Sequence, residues 1–384
     1  MSEIEQPVFL MHGQGQALAA HAHQGHYSAP VESLGGLFRH GGNASATPSA
    51  TAGLIPFSGQ QPAHFLPLGA LRTGVRVAPL LVGSGSSERQ ASPPVLSSSP
   101  SPDHYARTVL QALAQIETGD LHKVVLARQL HGRSDRPGDP VALASRLAQD
   151  PSVLTYLVDL SPISGLADNW LVGATPELLI ARQGRHIRSN PLAGSAKRSA
   201  DPWRDEQAGR ALLQSEKDIR EHALVVDYIM DILAPHCTSL SSKGPALQST
   251  ASMWHLGTRI DGELREEGDG APSAAALAAM LHPTPAVAGV PKAAAMATIA
   301  ALEPNSRGFY GGAIGWDDAA GDGHWYVTLR CAEIRGRDLI LHAGAGIVAG
   351  SDPDAEVAET QAKFQAMLRA VQLDDMAAQQ ELDR

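Results

Sequence analysis

The sequence predicts an α+β protein with layered sheets and outer helices, and three observations carry that expectation. Long helical patterns at Pro102–Glu117, Asp205–Leu233 and Pro353–Val371 are interspersed with clusters of short strands. In places strand follows strand directly, as where Asn169–Gly173 runs into ATPELLIAR, which a regular strand-helix-strand wind does not do. Three strand patterns near the C-terminus, Gly311–Trp316, Gly323–Ile334 and Asp338–Ala343, are joined by Gly/Asp turns and read as an antiparallel meander. No internal repeat is present.

In chain order, residues 1–100 are rich in Gly, Ala, Ser, His and Pro, with strand-like pieces at Val8–Met11, Gly53–Phe57 and Val75–Val82. His12, His21, His23, His26 and His40 lack regular ligand spacing and read as solvated or structural. Gly83–Pro102 has the composition of a surface loop or linker. Pro102 and Asp103 then open a helix to about Glu117, and Thr118-Gly119-Asp120 turns the chain into a strand at Lys123–Leu130. A helix at Val141–Gln149 and strands at Val153–Asp159 and Asn169–Gly173 follow, then Arg185–Ser189 and a turn-rich stretch, Asn190–Lys197. One helical region covers Asp205–Leu233, Ser252–Ile260 is a strand, and Ser273 caps a short helix to Leu281. Pro283–Pro291 is a rigid loop and Lys292–Leu302 a helix. Asp352 and Pro353 carry the cap and first-turn chemistry of the last helix.

Composition excludes several classes. The formal charge is −10 and the 30 Lys and Arg form no basic stripe, so no nucleic-acid partner is expected. No apolar run of about 18 residues is present, so no membrane partner is expected either. Two isolated cysteines, Cys237 and Cys331, and an N-terminus without a cationic start point to a reducing, cytoplasmic setting.

Two helices each carry a pair of acids at i and i+3: Asp218 with Glu221, and Glu356 with Glu359. Each pair is either a solvated acidic face or half of an oxygen cage for a hard cation such as Mg²⁺. Lys363 stands one turn beyond Glu359, so a helix-surface ion pair is the bland alternative there. GAGIVAG at Gly344–Gly350 is not a dinucleotide fingerprint, but a strand, a glycine turn and a capped helix start make a cradle for a carboxylate, to which Arg330 can add a bidentate contact or remain structural. Lys123 opens an apolar strand and is a candidate base or a solvated lysine. Glu177, ahead of Leu-Leu-Ile, is a candidate protonated acid or a plain helix-start glutamate, and His255 either packs or orients a substrate hydroxyl.

These motifs together resemble the chorismate-utilising enzymes, most closely the isochorismate synthases. The resemblance rests on KVVLAR at Lys123–Arg128, GATPELL at Gly173–Leu179, PLAGSAKR at Pro191–Arg198, SEKDIREHALVVD at Ser215–Asp227 and WHL at Trp254–Leu256. It continues through LHPTPAVAG at Leu281–Gly289, LEP at Leu302–Pro304, YGGAIGW at Tyr310–Trp316, TLRCAE at Thr328–Glu333 and AGAGIVAGSDPDAEVAETQAK at Ala343–Lys363. It covers about residues 104–376, leaving 1–100 as a variable N-terminal portion of the same fold and 377–384 as a tail.

The resemblance implies one large α+β domain, two packed antiparallel-rich sheets with helices outside and a central cleft, working as a monomer. It implies Glu221 and Glu359 as direct Mg²⁺ ligands, with Asp218 and Glu356 holding metal-bound water. Asp218 departs from the glutamate common in relatives and reaches less far. Gly194, Ser195, Arg330, Ala345, Gly346 and Lys363 would position chorismate, with Lys123 as base, Glu177 as acid and His255 beside them. Chorismate would become isochorismate by addition of water at C2 and loss of the C4 hydroxyl, in supply of a 2,3-dihydroxybenzoate siderophore. Anthranilate synthases usually carry glutamine where Lys123 stands, and aminodeoxychorismate synthases a lysine where Ala193 stands. A salicylate synthase, which also eliminates pyruvate, is the nearest rival; those enzymes often place threonine where this chain has Ala286. A non-catalytic Mg²⁺ or anion-binding module on the same scaffold is the reading from another class.

Overall fold

The computed structural model describes residues 7–21, 25–31, 50–68, 72–73, 95–266 and 270–371. The expected strand Val75–Val82, most of the Gly83–Pro102 loop, His23, His40 and the 377–384 tail lie outside the described residues.

Helix starts follow local chemistry. Ser101, Asp139, Ser273 and Asp352 each accept a backbone N–H at the head of Pro102–Glu117, Pro140–Leu147, Ala274–Leu281 and Pro353–Ala370 respectively. The helical region expected over Asp205–Leu233 is two helices, Pro202–Gln214 and Glu216–Leu233. Ser215 breaks them apart: its ψ of 108° leaves helical geometry, and its hydroxyl caps the second helix by accepting the Asp218 N–H. That break sets the direction of the helix bearing Asp218 and Glu221.

The described strands form two large sheets and a small one. The first runs Gly289–Val290, Lys123–Arg133, Asp338–Val348, Cys331–Arg335, Asn169–Thr175, Leu154–Asp159, Phe9–Gly13, Gln16–Ala20, Arg72–Thr73, with Val95–Ser99 also paired to the Lys123 strand. The second runs Cys237–Ser242, Ile260–Leu264, His186–Asn190, Leu178–Gln183, Gly323–Val327, Ala313–Asp318, Ala50–Ile55, Ala63–Leu68, Tyr27–Ala29. N-terminal strands thus pair directly with later ones: Phe9–Gly13 with Leu154–Asp159, and Ala50–Ile55 with Ala313–Asp318.

Apolar side chains from both sheets meet in one core, with Phe9, Met11, Tyr156 and Leu171 from the first and Leu54, Leu66, Ile314 and Tyr326 from the second. Each such side chain fully removed from water contributes about 1.5–3 kcal/mol. Leu143, Leu147, Phe364 and Leu368 bring the Pro140 and Pro353 helices onto the first sheet, while Val225, Ile229, Leu277 and Leu281 bring the Glu216 and Ala274 helices into a core with Ile180, Ile187 and Trp325 of the second. Trp325 fits because Gly53 opposes it: a Cβ there would stand 2.3 Å from the indole.

Two departures from the sequence reading shape the site. Gly323–Ile334 is not one strand but two, Gly323–Val327 in the second sheet and Cys331–Arg335 in the first, so the expected meander is shared between sheets. Arg330 sits at this crossing with a left-handed φ of 45°. The stretch Asn190–Lys197 contains a strand, Leu192–Lys197, which pairs with Met253–Gly257, itself paired to Ala246–Ser249. Turn residues misled the reading because Gly194, at φ 76°, marks a register shift between Ala193 and Ser195 rather than the end of pairing. No described helix is long and apolar enough to cross a membrane.

Candidate active site

One cleft gathers most of the residues singled out in the sequence. Glu177, Gly194, Ser195, Glu221, His255, Arg330, Gly346, Glu359 and Lys363 line it. Lys123 is fully buried just behind, its chain so close to Gly346 that a Cβ there would lie 3.3 Å from Lys123 Cε. Ala345 is buried and pairs with Leu126, so in a pleated strand its side chain points to the face opposite the one Gly346 turns toward Glu221, and it does not line the cleft. Asp218 and Glu356 stand at the edge, beside Gly194 and Lys217 respectively, and also do not line it.

The backbone brings these groups together at five places. The sheet crossing supplies Arg330, the link between Asn169–Thr175 and Leu178–Gln183 supplies Glu177, the small sheet supplies Gly194, Ser195 and His255, the adjacent strands from Lys123 and Asp338 supply Lys123 and Gly346, and the Glu216 and Pro353 helices supply the two acid pairs and Lys363. Two glycines stand where acidic side chains approach the backbone closely. A Cβ at Gly346 would lie 2.3 Å from Glu221 Oε1, and one at Gly194 would meet Asp218 at 3.0 Å in a backbone conformation that already favours glycine.

Charge organises the cleft. Lys123 Nζ lies 2.9 Å from Glu221 Oε1, at an angle poor for a hydrogen bond, with no other polar partner among the described residues. Lys217 pairs with Glu356 at 2.7 Å, and Lys363 with Glu359 at 2.6 Å while also donating to the Gly344 carbonyl at 2.8 Å. Ser195 Oγ donates to Glu359 at 3.0 Å. Burial raises the Glu359 carboxyl, but Lys363 and Ser195 outweigh it and leave it below its ordinary range. Glu177, only 3% exposed, is the reverse case: burial drives it up to about 8 against the pull of the Leu192 N–H, Lys123 and Lys363. It is therefore a neutral acid at pH 7. Burial, then the charges of Arg330 and Lys363, hold His255 well below its usual pKa, so its neutral ring accepts from Arg330 Nη2 at 2.7 Å.

The four acids offer oxygen donors of the type Mg²⁺ takes. Burial raises Asp218 and Glu356, and like charge from Glu221 and Glu359 raises Asp218 further, as Glu359 does Glu356; a divalent cation relieves such crowding. Lysines now hold the three glutamates, and no three ligand side chains among the described residues surround a common point. The donor types fit the ion; the carboxylate positions seen are those of lysine pairs.

A model of the chorismate binding enzyme family matches residues 80–372 of the chain. The chain belongs to this family. Among relatives, it is 47% identical to isochorismate synthase DhbC of Bacillus subtilis over 278 residues, covering 72% of this chain and 69% of that protein. It is 44% identical over 336 residues to a putative isochorismate synthase MenF of Mycobacterium tuberculosis, covering 85% and 87%. The crystal structure of a putative 2,3-dihydroxybenzoate-specific isochorismate synthase, DhbC of Bacillus anthracis, superposes with a TM-score of 0.87 at 34% identity over 96% of this chain and 97% of that one.

Within this chorismate binding chain, Ala286, weighed in the sequence only against the salicylate synthases, also lines the cleft, and so do Val125, Val287, Arg307, Tyr310, Leu329 and His342, to which the sequence attached no role. Arg307 is held by Glu303 and donates to the Val287 and Val125 carbonyls at 2.7 Å. His342 stacks on Tyr310 with ring centroids 4.9 Å apart. The signal available for His342 was a lone polar residue in the apolar run LILHAGAGIV; for Arg307 there was none, since it acts across 20 residues of intervening chain.

Proposed function

We propose that the chain isomerises chorismate to isochorismate, with Mg²⁺ as its cofactor. The observation that carries this reading is a buried Glu177 kept protonated in a cleft with a buried Lys123 just behind it, in a chain belonging to the chorismate binding family. The reaction needs a base for the entering water and an acid for the departing hydroxyl. Lys123 takes a proton as water adds at C2; the ring double bond shifts, and Glu177 gives its proton to the hydroxyl leaving C4. Water enters and water leaves, and solvent returns the proton from lysine to glutamate. Arg330 and Lys363 supply positive charge for the substrate carboxylates, and His255 orients Arg330.

Glu221 and Glu359 would hold the metal, with Asp218 and Glu356 behind them. When bound, Mg²⁺ supplies charge that neutralises and orients a substrate carboxylate. Ala193 has no amine to form a covalent adduct, which speaks against aminodeoxychorismate chemistry. The likeness to DhbC proteins supports supply of 2,3-dihydroxybenzoate, and the chain is proposed to act as a cytoplasmic monomer.

Incubating the purified chain with chorismate and Mg²⁺ and resolving the products tests this. Isochorismate is expected as the main product; salicylate with pyruvate in its place would make the chain a salicylate synthase instead.

A further inference from the structure

The Asp150–Ser152 loop is hydrogen-bonded to segments that adjoin the cleft, and the chemistry above gives it no role. Asp150 follows the Pro140–Leu147 helix, and its Oδ1 accepts the Ser152 N–H at 3.0 Å and the Ser152 hydroxyl. Its Oδ2 accepts the Ala251 N–H at 3.0 Å. Ala251 is in the turn between Ala246–Ser249 and Met253–Gly257, so one hydrogen bond fastens the tip of the small sheet to this loop. The same turn is closed by Thr250 and Met253 and held from the other side by Arg198. The Ser152 carbonyl accepts from Gln14 Nε2 at 3.0 Å, and that amide also donates to the Pro176 carbonyl at 3.2 Å, next to Glu177.

Arg330 makes no ion pair among the described residues; its guanidinium lies against the neutral His255 ring, which gives it no counter-charge. The Asp150 carboxylate acts on it by charge, without an ion pair between the two. Burial lowers Arg330 to about 10 and Asp150 opposes that shift, while Arg330 in turn helps Ser152 and Ala251 bring the Asp150 carboxyl below its ordinary range against burial. Arg330 stays a cation.

We propose that Asp150 is a positioning residue for substrate binding: it seats the tip of the sheet carrying Gly194, Ser195 and His255. The proposal rests on reading the cleft as the chorismate site. Nothing in it requires Asp150 to touch the substrate.

The test measures chorismate binding to the full chain by calorimetry in Mg²⁺, with KM and kcat alongside. Asp150→Ala is expected to weaken binding and raise KM by about tenfold or more while kcat stays within about threefold, the signature of lost ground-state binding. Ala251→Pro, which removes the amide donor but keeps the carboxylate, is expected to weaken binding in the same direction. Asp139→Ala is the control: it strips the cap from the helix leading to Asp150 and is expected to lower the melting temperature with KM unchanged. Wild-type affinity in Asp150→Ala, or an equal loss of affinity in Asp139→Ala, overturns the proposal alone. A wild-type chain that fails to bind chorismate overturns it together with the functional reading.

Discussion

Glu177 and Lys123 show how one environment serves opposite roles. Both are buried, and for Glu177 burial favours the neutral acid strongly enough to lift it to about 8. Turnover should therefore fall as pH rises through about 8, and an unchanged rate at pH 9 would remove Glu177 as the acid. Lys123→Ala and Glu177→Gln are each expected to cut turnover by at least about a hundredfold, the scale of a lost general base or acid, as read by steady-state assay. Glu177 also costs stability. Its folded pKa lies above its unfolded value of 4.5, so its contribution is most favourable below pH 4.5 and is lost as pH rises toward 8. Glu177→Gln should thus melt at a higher temperature than the parent at pH 8, by roughly 1–3 kcal/mol of stability, with the gap closing at pH 4. A variant that melts lower at pH 8 contradicts the assignment.

At the scale of elements, the paired helices decide whether the acids are surface or site. Asp218 and Glu221 alone suit a wet face, and only docking of the Glu216 helix against the Leu192 strand, with the Pro353 helix beyond, turns them inward. Glu359→Ala is expected to abolish Mg²⁺-dependent activity while the circular dichroism melt stays close to that of the parent; turnover that persists in excess chelator would count against the metal. A second element-scale prediction concerns Asp317 at the head of the Ala274–Leu281 helix. This buried carboxyl accepts Trp325 Nε1 at 2.6 Å and the Ala275 N–H at 3.0 Å, and burial lifts it to about 7 despite both bonds. Asp317→Ala orphans two buried donors and should cost about 2–4 kcal/mol in denaturant unfolding. The same substitution lies away from the cleft and should leave the KM of the folded fraction unchanged.

For the whole molecule, the N-terminal strands complete both large sheets. Without Phe9–Gly13 and Ala50–Ile55, the strands Leu154–Asp159 and Ala313–Asp318 become bare edges and the shared core loses Phe9, Met11 and Leu54. A chain starting at Ser101 is expected to aggregate on expression, although it keeps every residue named in the cleft. A soluble monomer with cooperative melting would show that the core closes without those strands.

What could be read from residues alone was whatever local chemistry dictates. Caps and prolines placed the helices at Pro102, Ala274, Lys292 and Pro353 to within a residue or two, because a cap acts within one turn. The motif series Lys123 to Lys363 also delivered nearly all the residues of the cleft, since each motif is a contiguous stretch. Pairing partners were out of reach. Nothing within Gly323–Ile334 announces that its halves join different sheets, nor within PLAGSAK that it pairs with Trp254 and His255, because strand register is set by residues far along the chain. The protonation of Glu177, the lysine partners of the three glutamates and the link from Asp150 to the small sheet all arise from burial and contact between distant segments, and those exist only once the two sheets have closed on each other.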